Sequence, residues 1–543
     1  MYRILTADEA VQLIKEGDCI GINAFLPLSN PELLHLALAK RYREEGKPGN
    51  LRIFCAAGFG GWDEKRFAEP YIAAGAVTEV VASHYASMPV TVKLAMENKI
   101  EAYNLPLGVL SHSIRDAAAG LEGHLSTVGL NTFVDPRVDS PALNEISKKK
   151  LVSLVELDGK EYLYYKTPKI DVAFIQGTTA DPNGNITFEK EYLSVDALAL
   201  AQATKANGGT VIVQVDQVSH IFSRPRNVII PGILVDAVVV NDAEERKVQG
   251  LWNGLDSGNG EPQASANPMN KRVQDDELSK YTLSMTGDIH VPPSHMDYYM
   301  RKLATSKKQT KTRDESPEII GSRAVKELQP GQVINLGIGI PEQVGKFASK
   351  IGILKDITMT VEAGGIGGLP APGVSFGATI GADMVADVAT QFDFYDGGGL
   401  DICFIGGLEV DRLGNVNAHK LPNSFTGIGG FANITSRTKI VVFCLTFTTK
   451  GLVVLQEGDG VRIESEGSVK KFKESIGAIS FSAKNALRQG QRVLYVTERC
   501  VFELTPTGLR LAEVYNGIDV TKDILSVLDF KLPTKVSLKG RSV

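Results

Sequence analysis

One carboxylate in this chain stands where a nucleophile could work. Glu362 closes the β-branched run ITMTVE and is followed at once by AGGIGGLPAPG. A side chain at that point projects from a sheet edge into a loop whose glycines let backbone amides and a ligand come close. A merely solvated strand-end glutamate would give the same pattern. A second group is Gly337-Ile338-Gly339-Ile340-Pro341, a glycine turn between a strand and a helix. Free amides and the positive end of the helix dipole would suit a phosphate or carboxylate there. The turn fits neither the GxGxxG fingerprint nor the Walker phosphate loop, which disfavours a nicotinamide enzyme or a nucleoside triphosphatase. Third is GIGGFAN from Gly427 to Asn433, flexible enough to aim two backbone amides at one oxygen, or simply to turn the chain. Lys450, followed by Gly451, could neutralise an anion or lie solvated. The eight histidines come with no cysteine or carboxylate cluster, and His290 and His295 flank VPP and cannot share a helix face, so no metal site is expected. No GxSxG elbow is present for a serine hydrolase.

These residues need a sheet to position them, and the sequence supplies two. The chain has 543 residues, 43% hydrophobic and 22% charged, which is too long for one core. Short β-branched runs alternate with amphipathic stretches, as in two α/β domains with mainly parallel sheets. In the second half VINL from Val333 reads as a strand, Pro341 to Ile351 as a helix, and ITMTV from Ile357 as the next strand. The halves repeat each other. IDVAFIQGTTADPNGNITF from Ile170 returns as LDICFIGGLEVDRLGNVNA from Leu400, with Asp171, Gly177, Asp181 and Gly184 recurring at one spacing as Asp401, Gly407, Asp411 and Gly414. Aligning FCAAGFGG from Phe54 with TVEAGGIG from Thr360 sets Ala56 opposite Glu362, so only the second copy carries the carboxylate. That asymmetry suits a site built between a catalytic and an accessory half. Residues 1–305 are read as the first domain, 306–318 as a polar linker and 319–543 as the second domain. Glu244 to Lys280 reads as an exposed excursion, and Leu151 to Tyr165 as a hairpin about Asp158-Gly159.

A net charge of −5 gives no general reason to approach nucleic acid or an anionic membrane. No apolar run reaches membrane-spanning length, no signal peptide is read at the N-terminus, and the five scattered cysteines read as reduced and buried, so a cytoplasmic protein is expected.

With these residues in place, the sequence resembles the family I coenzyme A transferases of the single-chain type, which include propionate CoA-transferase and the short-chain acyl-CoA:acetate or 3-ketoacid transferases. The likeness runs over nearly the whole chain. It is carried by VEAGGIGGLPAPG around Glu362, QFDFYDGGGLD from Gln391, GNVNAHKL followed by GIGGFANIT, AYNLPLGVLSH from Ala102, TVGLNTFVDPR from Thr127, IPGILVDAVVV from Ile230, YVTERCVFEL from Tyr495 and GIDVTKDIL from Gly517. The resemblance implies two homologous domains of the NagB/RpiA-like α/β fold, with Glu362 as nucleophile. It places CoA binding at Gly337, Ile338, Gly339, Ile340 and Pro341, the backbone-amide contact at Gly430, and a CoA-binding lysine at Lys450. It further implies ping-pong transfer through an acyl-glutamyl anhydride and a glutamyl-CoA thioester. Acyl-CoA and a short-chain carboxylic acid would be the substrates, with no cofactor, in a homodimer or homotetramer. Around His84 the chain reads ASHYASMPVTVKL where relatives carry a GHWGxSP-like segment, which leaves the acid pair open. Two other readings remain: an acyl-CoA hydrolase on the same fold, and a non-catalytic ligand-sensing module.

Overall fold

The computed structural model describes residues 2–167, 169–241, 314–371 and 376–532. The expected excursion at Glu244 to Lys280, most of the expected linker, and His290 and His295 lie outside these residues. A helix begins at Ser316, inside the stretch read as linker, and Asp314 and Glu315 hydrogen-bond the hairpin strand Val453–Glu457.

Two sheets organise the chain. The first has eight strands in the order Arg3–Leu5, Ala237–Val240, Thr210–Val215, Val172–Gln176, Cys19–Ile22, Leu51–Phe54, Val77–Ala82 and Glu101–Asn104, all parallel. The second has five parallel strands at its centre: Thr358–Thr360, Val333–Leu336, Ile402–Ile405, Ile440–Cys444 and Arg492–Val496. Antiparallel strands close it at both edges. Parallel strands covered on both faces need apolar residues throughout, and Cys19–Ile22 and Ile402–Ile405 are buried along their whole length.

The repeated aspartates show why the two halves fold alike. Asp171 accepts the Cys19 N–H and Asp401 accepts the Val333 N–H, each fastening one strand to its neighbour. Asp181 accepts the N–H groups of Asn183 and Asn185, and Asp411 those of Leu413 and Asn415, closing the same turn twice. VINL is a strand as expected, the helix runs Glu342–Lys350 with Pro341 as its N-cap, and the next strand is Thr358–Thr360. The expected hairpin pairs Val152–Leu157 with Lys160–Lys166, and Asp158 and Gly159 both take the left-handed conformation its two-residue turn requires. All five cysteines are buried and free. Among the described residues no helix is long and apolar enough to cross a membrane.

The halves share their interior. One buried apolar cluster runs from Cys19 to Phe530, and the helix Leu107–Ala118 of the first half packs on Val388–Asp396 and Phe431–Arg437 of the second. Phe133 stacks on His419 with ring centroids 3.9 Å apart, and Asn131 donates to Asn485 at 2.9 Å across the same seam.

Candidate active site

Glu362 lies two residues beyond the strand Thr358–Thr360, the place Ala56 takes after Leu51–Phe54 in the first sheet. The backbone leading to it is locked. The Thr360 hydroxyl donates to the Ile334 carbonyl at 2.9 Å, the Tyr395 hydroxyl to Thr360 Oγ1 at 2.9 Å, and Asn335 Nδ2 to the Thr360 carbonyl at 3.2 Å. Beyond it the chain doubles back at once, with the Val361 N–H bonded to the Gly365 carbonyl at 2.8 Å. Gly364, at φ 125°, passes so close to the Ala386 carbonyl that a Cβ would strike it, so this corner requires glycine.

The Glu362 carboxyl accepts the backbone N–H of Gly430, and a Cβ on residue 430 would collide with Glu362 Oε2 and the Phe392 ring. Burial pushes the carboxyl up to about 7, and the Gly430 N–H only partly offsets this. The residue nevertheless keeps partial exposure, so a reactant can reach it. Burial raises the neighbouring Tyr395 hydroxyl, and the Glu362 charge adds to that shift.

The segment carrying Gly430 is held largely by the first half. Tyr85 and Ala86 N–H groups donate to the Thr426 carbonyl at 2.9 and 3.1 Å, Gly429 N–H to the Ser83 carbonyl at 2.9 Å, and Leu107 N–H to the Gly429 carbonyl at 3.0 Å. Ile428 N–H donates to Asn104 Oδ1 at 3.0 Å, and Gly108 N–H to Asn433 Oδ1 at 3.2 Å. His84 pairs with Gly427. Its buried Nε2 has no protein partner, and burial pushes its imidazole down to about 4. Phe25, also of the first half, presents its ring to Gly377.

The remaining candidates spread along the same sheet edge. Asn335 pairs with Thr360, so Gly337 leaves its strand beside the exit of Glu362. Its turn is less free than its sequence suggests. Gly337 N–H donates to the Phe404 carbonyl at 2.8 Å, and Gly339 N–H to Glu342 Oε1 at 3.0 Å, so an anion at Gly339 must displace a carboxylate of the chain itself. Ile338 stands 55% exposed, Ile340 is half-buried and Pro341 buried. Lys450 is exposed, and its backbone is pinned by Ser468, whose N–H and hydroxyl both donate to its carbonyl. It lies beyond Ile440–Cys444, a strand three places from that of Glu362 in the sheet, and directly after Thr448–Thr449. Glu362 and Gly430 meet. Ser83, Asn104, Leu107 and Gly108 were not singled out by sequence reasoning. AYNLPLGV marked the region, but nothing local signals that its partners lie in the other half.

The chain resembles known proteins over most of its length. A profile of the coenzyme A transferase family matches residues 4–241 and 318–444. Acetate CoA-transferase YdiF of Escherichia coli K12 is 38% identical over 529 residues, covering 97% of this chain and 92% of that protein. Caffeate CoA-transferase of Acetobacterium woodii is 37% identical over 545 residues, covering 99% of this chain and 96% of that protein. The crystal structure of acyl-CoA transferase YdiF from Escherichia coli O157:H7, a thioester complex with CoA, aligns with a TM-score of 0.83 at 35% identity, covering 99% of this chain and 94% of that one.

Proposed function

This chain belongs to the coenzyme A transferase family, and we propose that it moves CoA from a short-chain acyl-CoA to an acceptor carboxylic acid through covalent intermediates on Glu362. The observation that carries this reading is the Glu362 carboxyl, partly exposed at the end of a parallel strand and held by the Gly430 N–H. A carboxyl raised to about 7 is roughly half ionised at neutral pH, and its carboxylate is less stabilised by water than an ordinary one, which favours attack.

The carboxylate attacks the thioester carbonyl. The carbon–sulfur bond breaks, CoA leaves as thiolate, and an acyl-glutamyl anhydride remains. The thiolate then attacks the glutamyl carbonyl carbon, the donor acid departs as carboxylate, and a glutamyl-CoA thioester is left. An acceptor carboxylate opens that thioester by the same steps reversed. No proton need be stored, and thioester and anhydride are already activated, so the route calls for no cofactor. The solved relative in a thioester complex with CoA is an adduct of the class this route requires. Gly337 to Pro341 and Lys450 would hold the distant parts of CoA, whose binding energy can keep the reacting atoms together. Relatives named for acetate and for caffeate differ widely in acid size, so the acid pair is not fixed by the family alone.

The test is intact-protein mass after mixing with acetyl-CoA or propionyl-CoA. Wild type should gain the mass of CoA less one water, and Glu362→Ala should not. A folded wild type that binds CoA but gains no mass with either donor refutes the nucleophile assignment.

A further inference from the structure

The amide that meets Glu362 is fixed from the other half of the molecule, and one side chain there has its hydrogen-bonding groups divided between the two halves. Asn104 ends the edge strand Glu101–Asn104 and is 0% exposed. Its Nδ2 donates to the carbonyls of Ala82 at 3.0 Å and Ser83 at 2.7 Å, while its Oδ1 accepts the Ile428 N–H at 3.0 Å. Ser83 passes the constraint on, since its carbonyl accepts the Gly429 N–H. The segment so gripped has little stiffness of its own, because Gly427 and Gly429 both sit in the left-handed region, at φ 79° and 51°. Gly430 follows directly.

We propose that Asn104 is a positioning residue for the transfer reaction: it holds Ile428 and Gly429 so that the Gly430 N–H stays on the Glu362 carboxyl oxygen while that carboxyl is converted to anhydride and thioester. This rests on the covalent route set out above. When CoA thiolate attacks the glutamyl carbon, a carbon–sulfur bond forms and the carbonyl π pair moves onto the glutamyl oxygen. The donor carboxylate then leaves as the carbonyl re-forms. The charge in between rests on the oxygen that Gly430 faces in the resting protein, so a loosened loop weakens the donor when it matters most. Asn104 is 0% exposed, so its replacement should leave acyl-CoA binding little changed.

The test is the single-turnover rate of the CoA adduct at saturating acetyl-CoA or propionyl-CoA, with KM and the pH profile, for wild type, Asn104→Ala, Gly108→Ala and Asn485→Ala. Asn104→Ala should slow the adduct about ten- to a hundredfold with KM little changed, and should move the acid limb of the profile to higher pH, because the amide that holds the carboxyl ionised is less well placed. Asn485→Ala removes hydrogen bonds to Asn131 and Leu130 across the same seam, away from the loop, and should leave the rate unchanged. A folded Asn104→Ala within roughly threefold of wild type overturns the proposal, as does an equal loss in Asn485→Ala. If Asn104→Ala does not fold, Gly108→Ala decides. Alanine is the better helix former, yet its Cβ would run into Asn433 Nδ2 and the Phe392 ring and displace the helix that follows Gly430. An unchanged rate in that variant overturns the proposal. Absence of adduct on wild type overturns the covalent route itself, and the role of the clamp with it.

Discussion

Replacing Glu362 by glutamine should end the reaction and, at alkaline pH, make the protein more stable. Burial raises the carboxyl from 4.5 to about 7 in the folded chain, which means that folding disfavours the ionised form. Below pH 4.5 the group is protonated whether folded or not, and it contributes no penalty. As pH rises through that window the unfolded chain ionises freely while the folded one resists, so stability falls and the full penalty is present above about 7. At about 1.4 kcal/mol per unit the whole shift corresponds to about 3 kcal/mol. The partial exposure of Glu362 lowers this to about 2 kcal/mol. Glutamine has the shape of the protonated acid, keeps an oxygen for the Gly430 N–H and never ionises. Thermal unfolding of both proteins at pH 5 and pH 8 is the assay. The variant should match wild type closely at the lower pH and exceed it at the higher by about 4 °C or more, taking 2–4 °C per kcal/mol for a cooperative unit of about 200 residues. Asp196 and Asp396 are also raised to about 7 by burial, but they titrate alike in both proteins and drop out of the difference. A glutamine variant no more stable at pH 8 than at pH 5, relative to wild type, would refute the claim that the Glu362 carboxylate is held against its own solvation.

Three further outcomes can be checked directly. Gly430→Ala should lower kcat by about a hundredfold or more in steady-state assays, because the new Cβ occupies the position of Glu362 Oε2 and removes the donor from line. The rate of adduct formation should be flat above about pH 7 and fall tenfold per unit below it as the carboxylate is protonated, leaving about a tenth of the rate at pH 6; a profile flat to pH 5 would contradict the value assigned to Glu362. Arg499→Leu should destabilise the protein by about 3–5 kcal/mol, measured as a lower Tm, since Arg499 is fully buried, bonds Glu498 at 2.6 Å and Glu466 at 2.7 Å, and its loss leaves Glu498, at 0% exposure, without its ion pair and with the Phe447 N–H on its other oxygen.

Legibility in the sequence followed range along the chain. The strand at VINL, the Asp158-Gly159 turn and the glycine corner after Glu362 are written in neighbouring residues, because burial pattern and backbone sterics act locally. The repeated aspartates were visible as a spacing before their hydrogen bonds were known, since both copies fasten the same strand and turn. The turn at Gly337 to Pro341 was read as open. Its G-x-x-E spacing was the available signal that Glu342 would reach back to the Gly339 N–H. What no local pattern could supply is the seam. Asn104 meets Ile428 and His112 meets Asp393 because the two halves pack on each other, and that packing depends on surface shape, which periodicity does not encode.

The grip of the first half on the loop at Gly430 also bears on how a duplicated chain evolves. The first copy carries Ala56 where the second carries Glu362, and so lacks that carboxylate. Here the backbone at Ser83 and Leu107 and the side chain of Asn104 set the geometry around a glutamate in the other copy. On the proposed covalent route, selection on turnover would therefore reach residues of the copy that lacks the glutamate, and the two copies would diverge in sequence along paths that keep their shared seam in register.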